Sequence, residues 1–492
     1  VVQAHGADQV GALAAPTATA EEHYLLQKLV RAMGSANVDH RLRQTDFRDD
    51  AEAPLYPGLG RPLRAFETVD AVLLIGANPR KEAPLLNLRL RKAALKGARV
   101  GVVNAFDHPF NYPLAGNFVV SPDAMLGVCA RIAVAVSMLK KLPIAADVTQ
   151  IAGGAPNEQE NTAAESLAGG KTSAVLLGGY AMNHPSAAVL RSLARLLAEL
   201  SGASIGIIAE GNAASAWLAG AVPHREANGR AAAKTGRNAL EMLLKPLKAY
   251  LLFGVEPELD ALNGARARAA MEAAEFVVML TTFKPSAHHS GAVGYADVWL
   301  PLAPFTEMAG TFVNGEGRAQ TFNAVTEPKG LARPGWKILR VLGTELGLDG
   351  FDYIDIAGVR HDLGLPAQVT LPAAAHVSVR KANDGGSTVN GQLLRVAEVP
   401  MYRVDALVRR SPALQKTADN PAPAALVHPD QAARLGLQEG SAVRAVMQDG
   451  EAQLGLHLDE RVPLGCVWIP AGYVETAGLG GHGLVTIVKE GA

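Results

Sequence analysis

Cysteine is almost absent from this chain of 492 residues, which contains only Cys129 and Cys466. The two residues are far apart and have no spacing typical of metal ligands. This argues against a disulfide framework, a zinc site and an iron–sulfur cluster bound by this chain alone. Cys129 lies in an apolar helical run, which predicts a small core residue.

Aromatic residues and net charge are also scarce. Aromatics make up 5% of the chain, and the formal net charge is −1. Few aromatics with plentiful alanine and glycine favour close packing of helices on a sheet over an aromatic-rich β-sandwich. Without an excess of basic residues there is no basic face, so no nucleic-acid partner is expected.

Long hydrophobic runs are missing as well. The most apolar window, residues 125–139, is short and contains Arg131, so no direct membrane insertion is expected. The first residues lack a basic region followed by an apolar core, which argues against a signal peptide. The chain also begins without methionine, and we expect it to be part of a longer cytoplasmic protein.

Three segments share one strand–turn–helix–strand plan, namely residues 69–104, 172–211 and 247–283. In each, a β-rich apolar run ends in a glycine turn, a helical pattern follows, and a second apolar run closes the unit. Strands that alternate with helices predict an α/β fold with a parallel sheet covered on both faces. A chain of this length should divide into about three or four domains.

The pattern changes near residue 360. Residues 366–410 are rich in valine, asparagine and glycine, which is typical of loops and short strands. From residue 421 onward, short apolar runs alternate with tight turns such as the Gln-Asp-Gly at 448–450. This pattern predicts a small C-terminal β-barrel domain.

The turn Ile-Gly-Ala-Asn-Pro after the first strand is a candidate anion site. Gly76 lets backbone N–H groups approach a phosphate, and the following helix N-terminus, where Pro79 is well tolerated, favours negative charge. Asn78 is placed to hydrogen-bond a base or a phosphate edge. The alternative is that Gly76 and Pro79 only form the turn.

Residues 303–322, APFTEMAGTFVNGEGRAQTF, carry several polar side chains among glycines and alternating apolar residues. The polar positions are Glu307, Asn314, Glu316 and Arg318. The pattern is typical of a polar pocket built on turns to hold a large cofactor. The interpretation we favour is a structural network in which Glu307 or Glu316 pairs with Arg318, because buried polar groups can satisfy one another.

Two further polar clusters give weaker signals. His288 and His289 are adjacent, so on a strand they point to opposite faces, and with no third ligand nearby we expect loop residues and no metal site. One interpretation of Asp39, His40 and Arg41 is a charged switch, and the interpretation we favour is a solvated cluster at a helix end. No Ser–His–Asp spacing and no Walker-type phosphate loop is visible.

Six motifs follow one another in a fixed order along the chain. They are GSANVDHRLRQ at 34–44, IGANP at 75–79, LFGVEP at 252–257, ADVWLP at 296–301, E-x-x-GT-x-x-N-x-EGR-x-Q at 307–320, and a barrel beginning VHPDQAARLGLQEGSAV at 427–443. This order resembles the molybdopterin oxidoreductase family across nearly the whole chain. Within that family, the chain most resembles the degenerate G subunits of bacterial NADH:quinone oxidoreductase (complex I).

The resemblance implies the multidomain fold of that family. It predicts one α/β domain formed by residues 1–66 and 151–350, with an inserted βαβ domain over 67–150 that resembles a dinucleotide-binding unit. A linker with peripheral β segments is expected over 351–420. The C-terminal β-barrel over 421–492 is expected to resemble a molybdopterin dinucleotide-binding domain.

In catalytic members of the family, the two glycine turns each help to hold one half of a bis-pterin guanine dinucleotide. This chain departs from that pattern. Asn104 stands where the family has an acidic residue that reads guanine, and residues 121–123 shorten a loop of the family. Glu256 replaces an asparagine and would place a carboxylate against a phosphate, a repulsion of several kcal/mol. No cysteine stands where a catalytic member ligates molybdenum, so we expect no cofactor, no metal and no catalytic residue here.

The resemblance therefore implies a non-catalytic scaffold portion of the iron–sulfur G subunit, within a complex that transfers electrons from NADH to quinone. Iron–sulfur clusters are expected only in an amino-terminal portion outside this chain. Expected partners are the other hydrophilic subunits of complex I, on the cytoplasmic face of the plasma membrane. One alternative is an active, formate dehydrogenase-like molybdopterin oxidoreductase. Another is a thiamine-diphosphate-type or other nucleotide-binding enzyme, which fits VDAVLLIGANP but not the later motifs.

Overall fold

The structure is a computed structural model that describes residues 1–284, 294–370, 379 and 391–490. Its strands are β1 Val10–Ala14, β2 Val38–Asp39, β3 Ala71–Ile75, β4 Arg99–Asn104, β5 Gly116–Val119, β6 Ser173–Leu177, β7 Ser204–Ile207, β8 Ala249–Phe253, β9 Phe276–Thr281, β10 Val298–Pro301, β11 Gly310–Val313, β12 Ala319–Phe322, β13 Gln392–Val396, β14 Ala424–Val427, β15 Ala442–Met447, β16 Gly450–Leu458, β17 Cys466–Trp468 and β18 Leu484–Lys489.

Its α-helices are α1 Val2–His5, α2 Ala20–Ala32, α3 Pro79–Glu82, α4 Pro84–Ala94, α5 Pro122–Lys140, α6 Ala146–Ala152, α7 Glu158–Gly169, α8 Gly179–Asn183, α9 Ala187–Ser201, α10 Ala213–Leu218, α11 Ala239–Leu244, α12 Pro257–Asp260, α13 Gly264–Glu272, α14 Gly335–Glu345, α15 Ile356–Leu363, α16 Ala406–Arg409, α17 Pro412–Gln415 and α18 Pro429–Arg434. The predicted α/β class is confirmed.

Two parallel sheets, each with five strands, organise the α/β part. The first sheet has the strand order β10-β9-β8-β1-β2, and the second has the order β5-β4-β3-β6-β7. All neighbouring strands in both sheets are parallel. The strand order reverses between β1 and β8 and between β3 and β6, and ligands of such sheets bind beyond the carboxyl ends of the strands at these switch points.

The sequence forms these sheets because their inner strands are almost entirely apolar. Strands β3, β6 and β8 are buried at every position, as expected for parallel strands covered by helices on both faces. Two of these strands then pass into a turn with a glycine at positive φ, Gly76 after β3 and Gly254 after β8. The two sheets therefore present equivalent turns at equivalent places.

The sheets also correct the domain boundary predicted at residue 150. Strand β6 pairs with β3 in register from Ala71↔Ser173 to Ile75↔Leu177, and β7 follows at the edge. Residues 173–207 therefore belong to the second sheet and not to the first, which takes its strands from residues 10–39 and 249–301. The predicted boundary was wrong because an apolar run does not reveal which sheet it joins.

The C-terminal region forms a closed six-stranded barrel with the order β13-β17-β14-β16-β15-β18. The Met447↔Gly450 pair closes the β15–β16 hairpin at the predicted turn. Strand β13 lies within the segment predicted to be a linker, yet it pairs with β17 and β18. The barrel therefore begins before residue 421, because the buried Leu393 and Val396 complete its core and wall.

Among the described helices, one is long and apolar enough to cross a membrane, namely α5. Of its most apolar window, 61% is buried inside the fold. Cys129, at the centre of this helix, is buried in the same core as Cys466 of the barrel. Arg131 is accommodated because its guanidinium bonds the buried carboxylate of Glu160 at 2.9 Å.

Candidate functional site

The glycine turn after β3 is built as the sequence predicts, with Gly76 at φ +55° and Pro79 as the first residue of α3. A Cβ atom on Gly76 would lie 2.3 Å from the backbone nitrogen of Ala181. Glycine is therefore required both by the backbone conformation and by the close approach of α8. Asn78 is half-buried, and its Oδ1 has no hydrogen-bond partner among the described residues.

The backbone donors of this turn are occupied by a side chain of the protein itself. Asn78 N–H donates to Glu82 Oε1 at 2.6 Å, and Gly179 N–H donates to Glu82 Oε2 at 2.9 Å. These two amides lie at the carboxyl ends of β3 and β6, where a doubly wound sheet would present N–H groups to a phosphate. The carboxylate of Glu82 takes that position.

The turn after β8 has the same arrangement. Gly254 has φ +67°, Pro257 begins α12, and Glu256 N–H donates to Asp260 Oδ2 at 2.7 Å. Asp260 stands four residues after Glu256, as Glu82 stands four residues after Asn78. Each short helix thus ends in an acidic residue that accepts the amide of the residue directly before the helix.

Glu256, whose carboxylate was expected to repel a phosphate, is neutralised by two arginines from α16 and the residue after it. Arg409 Nη2 lies 2.9 Å from Glu256 Oε2, and Arg409 Nη1 lies 2.8 Å from Asp260 Oδ1. Arg410 bonds both oxygens of Glu256. Burial opposes the charge of Arg409, but Asp260 and Glu256 outweigh it and hold the pKa of Arg409 above its ordinary value.

Asn104, at the end of β4, completes the first turn. Its Oδ1 accepts the N–H of Ala77 at 2.9 Å, and its Nδ2 donates to the carbonyl of the same residue at 3.1 Å. The side chain is buried. An ionised acidic residue could make only the first of these bonds, so the amide is suited to holding the turn closed.

Asp39, His40 and Arg41 lie at the end of β2 and directly after it, and they are buried, so the expectation of a solvated cluster was wrong. Arg41 bonds Asp39 at 2.8 Å and Asp50 at 2.7 Å, and Asp39 also accepts the N–H of Ala239. Burial alone would raise the pKa of Asp39, but Arg41 outweighs it and lowers the pKa. The cluster is buried because it lies where the two sheets meet.

A cavity of about 110 Å³ lies at this meeting point. Its walls come from the segments that follow β1, β2, β6 and β7, and they include His40, Arg43, Gly179, Arg191 and Trp217. Arg191 bonds Asp49 at 2.5 Å, and Arg43 bonds Glu210. The crevice is therefore crossed by ion pairs between segments far apart in the sequence.

The polar stretch 303–322 forms the β11–β12 hairpin, away from the walls of the cavity. Asn314 Oδ1 accepts the N–H groups of Glu316 and Arg318, both at 3.0 Å. Glu316 Oε1 accepts the N–H of Leu63, and Glu307 Oε2 accepts the N–H of Lys329. Asn314 and Glu316 thus satisfy backbone groups, which fits a structural role.

The specific pairing predicted within this stretch is not observed. Arg318 is exposed, and within residues 1–284, 294–370, 379 and 391–490 its guanidinium bonds neither Glu307 nor Glu316. The pairing fails because Arg318, in the turn directly before β12, is exposed, while the carboxylates of Glu316 and Glu307 accept backbone amides of other segments. Gly76, Asn78 and Pro79 lie on a different element, so the structure does not unite the two sets of candidate residues.

His288 and His289 lie outside the described residues. Elsewhere in the described chain, no group of three or more His, Cys, Asp or Glu side chains could hold a metal ion. The sequence reasoning missed Glu82, Asp260, Arg409 and Arg410. An alignment of GANPRKE with GVEPELD would have revealed the first two, because both segments place an acidic residue three positions after the proline.

Comparisons with known proteins agree with this architecture. A family profile described as "Molybdopterin oxidoreductase" matches residues 1–345, and one described as "Molydopterin dinucleotide binding domain" matches residues 399–488. Acetylene hydratase from Pelobacter acetylenicus has a similar fold, with a TM-score of 0.67 over 99% of this chain and 87% of that chain, at 14% identity.

Three curated relatives match at similar identity. The 78 kDa subunit of mitochondrial NADH-ubiquinone oxidoreductase from Candida albicans is 26% identical over 83% of this chain and 51% of its own length. The G subunit of NADH-quinone oxidoreductase from Mycobacterium bovis is 26% identical, with coverages of 94% and 56%. The alpha subunit of NADPH-Fe(3+) oxidoreductase from Geobacter sulfurreducens is 25% identical, with coverages of 96% and 62%. The chain thus spans about half to three-fifths of each relative's length.

Proposed function

Since this chain belongs to the molybdopterin oxidoreductase family, as its motif order predicts, we propose that it is the molybdopterin-enzyme-like portion of a G subunit of bacterial NADH:quinone oxidoreductase. In this proposal the chain is a scaffold without an active site of its own. It assembles with the other hydrophilic subunits on the cytoplasmic face of the membrane, and the iron–sulfur clusters belong to a portion outside residues 1–492.

The observation that carries this proposal is the occupation of the two glycine turns by internal carboxylates. Glu82 accepts the amides of Asn78 and Gly179, and Asp260 accepts the amide of Glu256. A phosphate at either turn would have to displace a carboxylate of the same charge sign. At the second turn it would also have to break the buried bridge from Glu256 to Arg409.

The size of the crevice supports the same interpretation. Its cavity of about 110 Å³ is smaller than the roughly 300–1,000 Å³ typical of sites for small molecules. A bis-pterin guanine dinucleotide is larger than most such molecules, so these residues do not fit it. We therefore propose that the chain binds no molybdopterin and performs no redox step of its own.

Metal and pterin analysis tests this proposal directly. The chain should be produced in cells supplied with molybdate, beside an active molybdenum enzyme purified from the same host as a positive control. We expect molybdenum and pterin fluorescence well below one equivalent per chain. Stoichiometric molybdenum with pterin would overturn the scaffold proposal and favour an active, formate dehydrogenase-like oxidoreductase.

A substitution at the first turn tests the scaffold role in the assembled complex. Asn78→Ala removes a side-chain oxygen that has no partner among the described residues, so the fold should be retained. NADH:quinone turnover per assembled complex should equal that of the parent and of the exposed control Asn161→Ala. Turnover lost in Asn78→Ala alone, with normal assembly, would contradict the proposal.

A further inference from the structure

Helix α4 carries leucine side chains on the face that it turns to solvent as well as on the face that it buries. Leu86 and Leu90 pack against the second sheet in one hydrophobic core. On the outer face, Leu85 is 65% exposed, Leu88 is 41% exposed, and Leu95, directly after the helix, is 60% exposed. A helix that is apolar on both faces is expected to be covered on both faces. The described part of the chain covers only one of them.

The exposed leucines form one stripe along the helix. At about 100° per residue, Leu85, Leu88, Lys92 and Leu95 fall within an arc of about 80°. We call these four residues the α4 stripe. Its ends are ten residues apart in the sequence, so the stripe is about 15 Å long, which matches about three turns of a second helix.

The charged side chains in and beside the α4 stripe are of one sign. The sequence has no acidic residue from 83 to 106, and it supplies four cations here, namely Arg89, Arg91, Lys92 and Lys96. Within the described ranges, Glu67 is the one carboxylate that forms an ion pair with any of the four, and it bonds both Arg89 and Lys92. The stripe therefore has an excess of positive charge, although the formal net charge of the whole chain is −1.

This charge pattern argues against two simple occupants of the stripe. A second copy of the chain, paired through the same stripe about a twofold axis, would bring cations against cations. Insertion into a lipid bilayer would carry Lys92, which lies within the stripe, towards hydrocarbon and away from Glu67. A protein surface that offers both apolar side chains and carboxylates meets neither objection.

We propose that the α4 stripe binds an amphipathic helix of a partner protein, whose apolar face is bordered by aspartate or glutamate. The apolar face covers Leu85, Leu88 and Leu95, and the acidic side chains pair with Arg91 and Lys96. Burial of the leucines supplies most of the affinity, and the charges select the partner. This surface deepens the proposed scaffold role, and it rests on that role only for the class of partner, another hydrophilic subunit.

Fluorescence anisotropy of three labelled peptides with the whole chain tests the proposal. The acidic peptide is a helix of about 14 residues that is long enough to cover the stripe, with leucines on one face, glutamates beside them and alanine elsewhere. The basic peptide has lysine in place of each glutamate, and the third has the acidic composition in scrambled order. We expect saturable binding of the acidic peptide, and binding of the other two weaker by at least about tenfold.

Two matched double variants locate the binding. Leu85→Ala with Leu88→Ala removes only exposed side chains, so the fold should be retained while the affinity for the acidic peptide falls by at least about tenfold. The control is Met138→Ala with Leu139→Ala, which removes exposed apolar side chains of α5, on the opposite face of the second sheet. It should keep the affinity of the parent.

A charge reversal gives a second readout. Lys96→Glu should weaken binding of the acidic peptide by about fivefold and strengthen binding of the basic one. The exposed Lys140→Glu on α5 is its control and should change neither.

Flotation with phosphatidylglycerol vesicles and sedimentation equilibrium test the other two occupants. The proposal is overturned if the acidic peptide shows no saturable binding, if the basic or scrambled peptide binds as tightly, or if the folded Leu85→Ala, Leu88→Ala variant keeps full affinity. It is also overturned if the parent binds the vesicles or dimerises and this variant does not. The peptide assay measures the surface alone, whereas the molybdenum analysis tests the scaffold role, so either can fail without the other.

Discussion

Glu256 and Arg409 are 153 residues apart in the sequence, yet their side chains are buried and 2.9 Å apart. The contact joins the turn after the central strand of the first sheet to a short helix that precedes most of the barrel. This buried salt bridge therefore holds the C-terminal region against the turn after β8. The same arginine also bonds Asp260, so one side chain neutralises two buried carboxylates.

Removing this arginine should destabilise the fold strongly. Arg409→Ala leaves Glu256 and Asp260 with less positive charge in a buried place, and breaking such a pair costs about 3–5 kcal/mol. Chemical denaturation followed by tryptophan fluorescence measures the loss. The exposed Arg268→Ala, which removes a surface pair with Glu272 on α13, should cost less than about 1 kcal/mol. Equal, small losses in both variants would contradict a fastening role for Arg409.

An acidic residue at position 104, as the family pattern has it, should destabilise the glycine turn after β3. Asn104→Asp keeps an acceptor for the amide of Ala77 but places a carboxylate oxygen against the carbonyl of the same residue. We expect a loss of about 1–3 kcal/mol in unfolding free energy. The matched change Asn161→Asp, on the exposed face of α7, should alter stability by less than about 0.5 kcal/mol. A variant Asn104→Asp as stable as the parent would contradict the closing role of this amide.

Local sequence patterns were sufficient to predict the helices, the strands and the family. They could not predict contacts between residues that are distant in sequence. The apolar runs and glycine stops around residues 69–104 specify a strand, a turn and a helix wherever they fold. The assignment of residues 173–207 to the second sheet depends on pairing between β3 and β6, which no local signal encodes. Likewise, the sequence around Asp39 and Arg41 is typical of a solvated cluster. Their burial depends on contacts with Asp50 and Ala239, and the contact with Ala239 is distant in sequence.

Acid should destabilise the chain through its buried histidines. Burial lowers the pKa of His184 from 6.5 to about 4. Its Nδ1 accepts the N–H of Ser186 and its other nitrogen contacts the carbonyl of Pro122, an arrangement that requires the neutral ring. As the pH falls, the His184 ring is protonated near pH 6.5 in the unfolded chain but only near pH 4 in the folded chain. Stability is therefore full above that range and is lost as the pH falls through it.

The variant His184→Gln separates this contribution from the others. The shift corresponds to about 3 kcal/mol between the protonated and the neutral ring. Between pH 7 and pH 4, the unfolding free energy of His184→Gln should therefore fall by about 3 kcal/mol less than that of the parent. Unfolding free energies measured across this range provide the test. The exposed His361→Gln is the control and should show the slope of the parent. An unchanged slope in His184→Gln would mean that this ring is not held neutral.

The last prediction concerns the β11–β12 hairpin, where one polar residue of the 303–322 stretch should be needed for stability and another should not. Asn314 closes the turn by accepting two backbone amides, whereas Arg318 is exposed. Asn314→Ala should lower the unfolding free energy by about 1–3 kcal/mol, because the two amides lose their acceptor. Arg318→Ala should change it by less than about 0.5 kcal/mol. Thermal unfolding of both variants beside the parent provides the measurement. A large loss of unfolding free energy in Arg318→Ala would instead support the predicted pairing of Arg318 with Glu307 or Glu316.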